Sequence, residues 1–156
     1  MRSTSIASTV APLKRVVVVD DNEMLLKAWS RLLEREDCNY CTTASPEEAL
    51  RFIEEEGADI LISDIVMPRM DGFALAQLAQ EKNPELRIVL TTGYVCDFSN
   101  MTLEVSSPDV HVLLKPYNDI NQIQDFIKRL IRGDESLDHQ SAIRNRNDVK
   151  IHLWNL

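Results

Sequence analysis

Several things are scarce or missing in this chain, and each closes off a class of function. Basic residues are outnumbered, 17 against 25 acidic ones, giving a net charge of −8. No Lys/Arg cluster lifts a face to positive potential, which argues against bare nucleic acid or anionic membrane as a direct partner. No apolar run approaches the ~20 residues of a membrane span. Met1 to Pro12 is rich in Ser, Thr and Ala and holds no hydrophobic stretch of signal-peptide length, which points to a cytoplasmic chain. The three cysteines, an odd number, do not suggest a disulfide framework. Cys38 and Cys41 are spaced like a redox or zinc pair. No second pair and no nearby histidine accompany them, and an offset of three in a strand puts them on opposite faces. His111, His139 and His152 show no metal-ligand spacing. No Gly-rich or Ser/Thr-rich loop follows the first apolar run, as a flavin or nucleotide binder would require. Asp20-Asp21-Asn22-Glu23 stands there instead, and it would repel a phosphate that arrived without a metal.

What is present is a strict alternation. At 156 residues and 44% hydrophobic, the chain has the size and composition of one globular domain with tails. Val16 to Val19, β-branched throughout, reads as a strand buried on both faces. A helix follows to about Arg35, with Met24, Leu25, Leu26, Trp29, Leu32 and Leu33 along one stripe. Asn39 to Thr43 is a second strand. Ser45-Pro46-Glu47-Glu48 is a capping box with proline at the first helical position, and Gly57 stops that helix. Ile60 to Ile62 starts a third strand, and a third helix runs from Gly72 to about Glu81. Arg87 to Thr91 and Val110 to Leu114 are the fourth and fifth strands. Between them, Val95 to Ser107 reads as a short, loosely held fourth helix. A fifth helix starts at Asn118 or Asp119 and stops at Gly133. Five strand–helix units in alternation imply an α/β fold with a parallel sheet covered on both faces. Residues 1–13 read as a flexible leader and 14–133 as the domain. Residues 134–156, 156 − 133 = 23 in number, read as a linker or docking segment too short for a core of its own.

Four apolar runs end in polar groups able to handle a phosphate or a metal. Val16 to Val19 runs into Asp20-Asp21, and Leu61-Ile62-Ser63 into Asp64. Ile88 to Leu90 runs into Thr91-Thr92-Gly93, and Val110 to Leu114 into Lys115-Pro116. In a parallel α/β sheet these ends share one rim, where ligands bind. Three clustered carboxylates repel by roughly 1–4 kcal/mol per pair, a cost that a hard divalent cation relieves. A carboxylate is itself a nucleophile towards phosphorus. Lys115 supplies a fixed positive charge and Thr92 a hydroxyl, which phosphoryl transfer needs to neutralise the equatorial oxygens. No residue stands out as a base for activating water. The chemistry is that of taking up a phosphoryl group and holding it.

From Lys14 to Gly133 the chain resembles the receiver domain of two-component response regulators. The resemblance is carried by the acidic pair Asp20-Asp21, the run Asp64-Ile65-Val66-Met67-Pro68-Arg69-Met70-Asp71-Gly72, Thr92 before the small Gly93, and Lys115-Pro116. It implies a chemotaxis-type, flavodoxin-like fold: a doubly wound, five-stranded parallel sheet of order 2-1-3-4-5 with five helices. It implies that Asp64 is the phosphoacceptor. Asp21, Asp64 and the backbone carbonyl of Val66 would bind Mg²⁺ (or Mn²⁺) directly, and Asp20 through water. Thr92 and Lys115 would bind the phosphate and switch, and the Lys115–Pro116 bond would be cis. The phosphoryl group would come from a histidine kinase or phosphotransfer protein and alter partner binding. Such a chain is a signalling module, and its only catalysis is its own phosphorylation and slow dephosphorylation. The family often has an aromatic ring three residues before the lysine. Here that position is Val112, and Tyr94 is the substitute. The surface formed by residues 95–107, the fifth strand and the fifth helix would change most and is a candidate for homodimerisation.

A second reading is a Mg²⁺-dependent phosphohydrolase that works through an aspartyl phosphate. Such enzymes favour a second aspartate two residues after the nucleophile. Val66 occupies that position and argues against it.

Overall fold

The computed structural model describes residues 12–93, 109–134 and 141–156. Strand β1 (Lys14–Val19) leads to helix α1 (Glu23–Glu34), β2 (Cys38–Thr43), α2 (Pro46–Glu56), β3 (Ile60–Asp64) and α3 (Gly72–Lys82). Then come β4 (Arg87–Thr92), β5 (Asp109–Leu114), α4 (Ile120–Arg132), β6 (Ser141–Arg144) and β7 (Lys150–Trp154). The helix starts are chemically defined. Asn22, Ser45, Asp71 and Asp119 each turn a side-chain oxygen onto first-turn N–H groups that have no partner within the helix. Asp71, in the signature run, is thus a helix cap. At the other end of α4, Gly133 takes the left-handed conformation that closes helices (φ 73°).

The strands form one sheet in the order β2-β1-β3-β4-β5-β7-β6. The β2 to β5 portion is parallel and follows the expected 2-1-3-4-5 order. Val17, Val19, Leu61, Ile88 and Leu90 face α2 and α3 on one side. Val16, Val18, Ile60, Ile62 and Val89 face α1 and α4 on the other. Strands buried on both faces explain the unbroken valine and isoleucine runs. Cys41 packs on the first side and Cys38 on the second, so the pair is divided by the sheet.

Two expectations need correction. The sheet has seven strands among the described residues, not five. Residues 141–154 are not a linker alone: β7 pairs parallel with β5, and β6 antiparallel with β7. The segment needs no core of its own, because it extends one that already exists. Val149 and Ile151 join the α2/α3 side, and Trp154 and Leu156 the α1/α4 side. The apolar stripes also do not run to the helix starts. Met24 and Ile120 are exposed, and both sit in the first turn of their helices. The described residues hold four helices, and the helix expected over 95–107 lies outside them.

Candidate functional site

Register decides which side chains meet. Val19 pairs with Ser63, so the next residues, Asp20 and Asp64, leave neighbouring strands side by side. Asp64 pairs with Thr91, and Thr92 with Leu114, which brings Lys115 to the same rim. The chain departs from β1 to β2 on one side and returns at β3 on the other. A crevice opens at such a switch point, beyond the carboxyl ends of the strands.

Asp20, Asp21 and Asp64 each present a carboxylate oxygen, all within 4.8 Å of one another. Asp20 is 1% exposed, Asp64 is buried and Asp21 faces solvent. Asp20 Oδ1 accepts the N–H of Asn22 at 2.8 Å, which fixes its orientation. Lys115 Nζ donates to Asp20 Oδ2 at 3.1 Å and lies 3.4 Å from Asp64 Oδ1. Burial raises the Asp64 carboxyl above its ordinary range; Lys115 opposes that shift and the Asp20 charge adds to it. One ammonium against three carboxylates leaves an excess of negative charge in a small volume. Oxygen donors of this kind, partly open to water, fit a hard divalent cation such as Mg²⁺ or Mn²⁺.

The lysine is held from behind. Its backbone N–H donates to the carbonyl of Thr92 at 2.8 Å, and the following bond to Pro116 is cis. Thr92 is buried. Val66 lies on the exposed turn after Asp64. Val112 is buried within β5, in register with Leu153. Tyr94 lies outside the described residues.

Sequence reasoning missed Tyr117. Its ring packs edge-on against Trp29 with centroids 6.1 Å apart. Its hydroxyl and that of Thr91 are both enclosed, near enough to influence each other yet without a hydrogen bond of acceptable geometry. Burial, with the Asp20 and Asp64 charges, pushes the phenol well above its usual range. Its position two residues after Lys115 carries no signal that its hydroxyl is enclosed. His111 and His152, also set aside, stack on each other at 4.8 Å, and Trp154 donates its indole N–H to His111 Nδ1 at 3.0 Å.

Residues 16–128 match the family model for the response regulator receiver domain. The response regulator receiver protein CpdR of Brucella abortus is 29% identical over 119 residues, which are 76% of this chain and 98% of that protein. The alkaline phosphatase synthesis transcriptional regulatory protein PhoP of Bacillus subtilis is 26% identical over 133 residues, 85% of this chain but 54% of that protein. Among solved structures, a CheY-like receiver domain protein from Methanospirillum hungatei superposes with a TM-score of 0.63 at 25% identity. It covers 80% of this chain and 98% of its own.

Proposed function

Because this chain belongs to the response regulator receiver domain family of two-component systems, we propose that Asp64 is its phosphoacceptor and that Lys115 and Thr92 read the result. The observation that carries this is the placement of Lys115 Nζ between Asp20 and Asp64, against three carboxylates within 4.8 Å. A carboxylate oxygen of Asp64 attacks the phosphorus of a phosphohistidine. The new O–P bond forms as the N–P bond breaks, and the imidazole leaves with its electron pair. The product is a mixed anhydride. The donor is a histidine kinase or a phosphotransfer protein.

Asp21, Asp64 and the Val66 carbonyl would hold Mg²⁺, with Asp20 acting through water. Bound there, such an ion would supply positive charge to neutralise phosphoryl oxygens. Lys115 supplies the remainder from the chain itself and stays held by Asp20 while Asp64 reacts. Thr92, joined through its carbonyl to the Lys115 backbone, would donate a hydrogen bond from its hydroxyl to the acyl phosphate. Val66, two residues beyond the nucleophile, brings no general acid, so the anhydride is kept rather than passed quickly to water. That favours a signalling receiver over a phosphohydrolase.

Incubation with Mg²⁺ and acetyl phosphate should add one phosphoryl mass to the intact chain, and Asp64→Asn should add none. Stoichiometric labelling of the Asn variant would overturn the assignment.

A further inference from the structure

We propose that the β6–β7 hairpin is this chain's own output element, seated on β5 when Asp64 is unmodified and loosened when Asp64 is loaded; this rests on the phosphoacceptor reading above. The hairpin is bound to the strand that delivers Lys115. β7 pairs with β5 from Asp109↔Lys150 to Leu113↔Trp154. Its last residues then pass beneath the loop that follows Lys115, where the N–H of Asn118 donates to the carbonyl of Leu156 at 2.6 Å. Asn118 is three residues from Lys115, across the cis Lys115–Pro116 bond and Tyr117. The anchors beside this link are buried. Trp154 packs on Phe126 of α4 with centroids 4.9 Å apart and donates to His111 of β5, and Leu156 lies in the same cluster.

The hairpin's outer strand is an edge: among the described residues β6 ends the sheet and pairs with β7 alone. A two-stranded hairpin is marginal by itself, so its order depends on β5 and α4. On β6, Ala142 and Arg144 are exposed, as are Arg146, Asn147 and Asp148 in the turn. Elements of this kind open at free energies well below global unfolding. The hairpin is therefore an element with two states, docked and loosened, whose balance a modest force can tip.

The direction follows from the charges. Unloaded, Lys115 divides its ammonium between Asp20 and Asp64. A phosphoryl group on Asp64 adds charge and strong acceptor oxygens, and draws the ammonium towards them. The backbone that follows Lys115 is displaced with it, and Asn118 moves relative to Leu156. The seated hairpin thus prefers the unloaded site. Coupling is reciprocal, so a hairpin that seats less well must raise the affinity of the site for a phosphoryl group.

Hydrogen exchange on the full chain with Mg²⁺, with and without beryllofluoride as the phosphoryl stand-in, tests this. The amides of Lys150 to Trp154 should exchange about tenfold faster in the loaded state, with β1 and β3 unchanged and no effect in Asp64→Asn. If beryllofluoride fails to bind at all, the phosphoacceptor reading falls. If it binds and β7 exchanges at the same rate or more slowly, the output role falls alone. Leu156→Ala, which weakens the seat without touching the site, should bind beryllofluoride several-fold more tightly and Mg²⁺ alone as wild type does. An equal or lower beryllofluoride affinity overturns the proposal. Should that variant unfold, the wild-type exchange decides.

Discussion

Gly72 donates its backbone N–H to the carbonyl of Ile65 at 2.8 Å, which closes the turn from Asp64 into α3. The closure leaves no room for a side chain. A Cβ on Gly72 would collide with the Asp64 carbonyl and lie 2.9 Å from Ile65 Cα. Both neighbours are backbone atoms of the segment that carries Asp64, so neither can yield cheaply. Gly72→Ala should destabilise the fold by about 1–3 kcal/mol. It should also reduce acetyl phosphate labelling by more than the loss of folded protein explains. Thermal melts beside intact-mass labelling would separate the two effects.

Asp64 makes stability depend on pH in a defined direction. Its folded carboxyl is raised above the ordinary value of 3.8, first by burial. The folded state therefore holds its proton at a pH where the unfolded state has released it. That contribution to stability is complete below the unfolded value and is lost as pH rises through the folded one. In chelator, Asp64→Asn should be more stable than wild type at neutral pH, and the gap should close on acidification towards pH 3.8. Mg²⁺ should narrow the gap at neutral pH by stabilising wild type more. A gap that stays constant across this range would remove Asp64 as its source.

Lys115 and Asp20 make the most enclosed ion pair of the site, with side chains 18% and 1% exposed. Truncating the lysine leaves Asp20 buried against a second carboxylate. Lys115→Ala should cost about 1–3 kcal/mol without metal, the penalty for a buried polar group left without its partner. Because the lysine is not among the oxygen donors, Mg²⁺ should still bind and recover much of the loss. Labelling by acetyl phosphate should fall, since the ion alone does not replace the ammonium on the far oxygens. Equal labelling of Lys115→Ala and wild type would deny it a part in transfer.

The site was legible because its residues end runs of one kind. Val16 to Val19 and Ile60 to Ile62 mark interior strands, and a carboxylate directly after each run has to meet at the sheet rim. Register then leaves little freedom, since Val19↔Ser63 and Thr92↔Leu114 place Asp20, Asp64 and Lys115 together. The hairpin was not legible for a physical reason. Twenty-three residues are too few for a core, and only the open edge of β5 makes them enough. Its sign was alternation across β7, with Ile151 on one face of the sheet and Trp154 on the other. That pattern is weak in five residues, and polar residues surround it. Tyr117 escaped notice because nothing in its sequence position tells an enclosed hydroxyl from an exposed one.

Adjacent threonines close β4, and their surroundings assign them different work. Thr91 stands in register with Asp64, yet its hydroxyl is enclosed beside Tyr117 without a hydrogen bond. An enclosed, unsatisfied hydroxyl is a cost, and valine of similar shape removes it. Thr91→Val should stabilise the fold by about 1 kcal/mol and leave phosphorylation unchanged. Thr92 ends the strand, directly before Gly93, and its carbonyl accepts the N–H of Lys115. A Cβ on Gly93 would make an ordinary contact with Lys115 Cβ at 3.9 Å, which puts Gly93 directly beside the lysine stem. Thr92→Val retains the backbone link to Lys115 and loses only the hydroxyl. It should still be labelled on Asp64, with the spectral change that follows labelling reduced severalfold. NMR spectra of both variants with and without beryllofluoride distinguish the roles. A full response in Thr92→Val, or its loss in Thr91→Val, would transfer the switch to Thr91 and make its enclosed hydroxyl the group that waits for the phosphoryl oxygen.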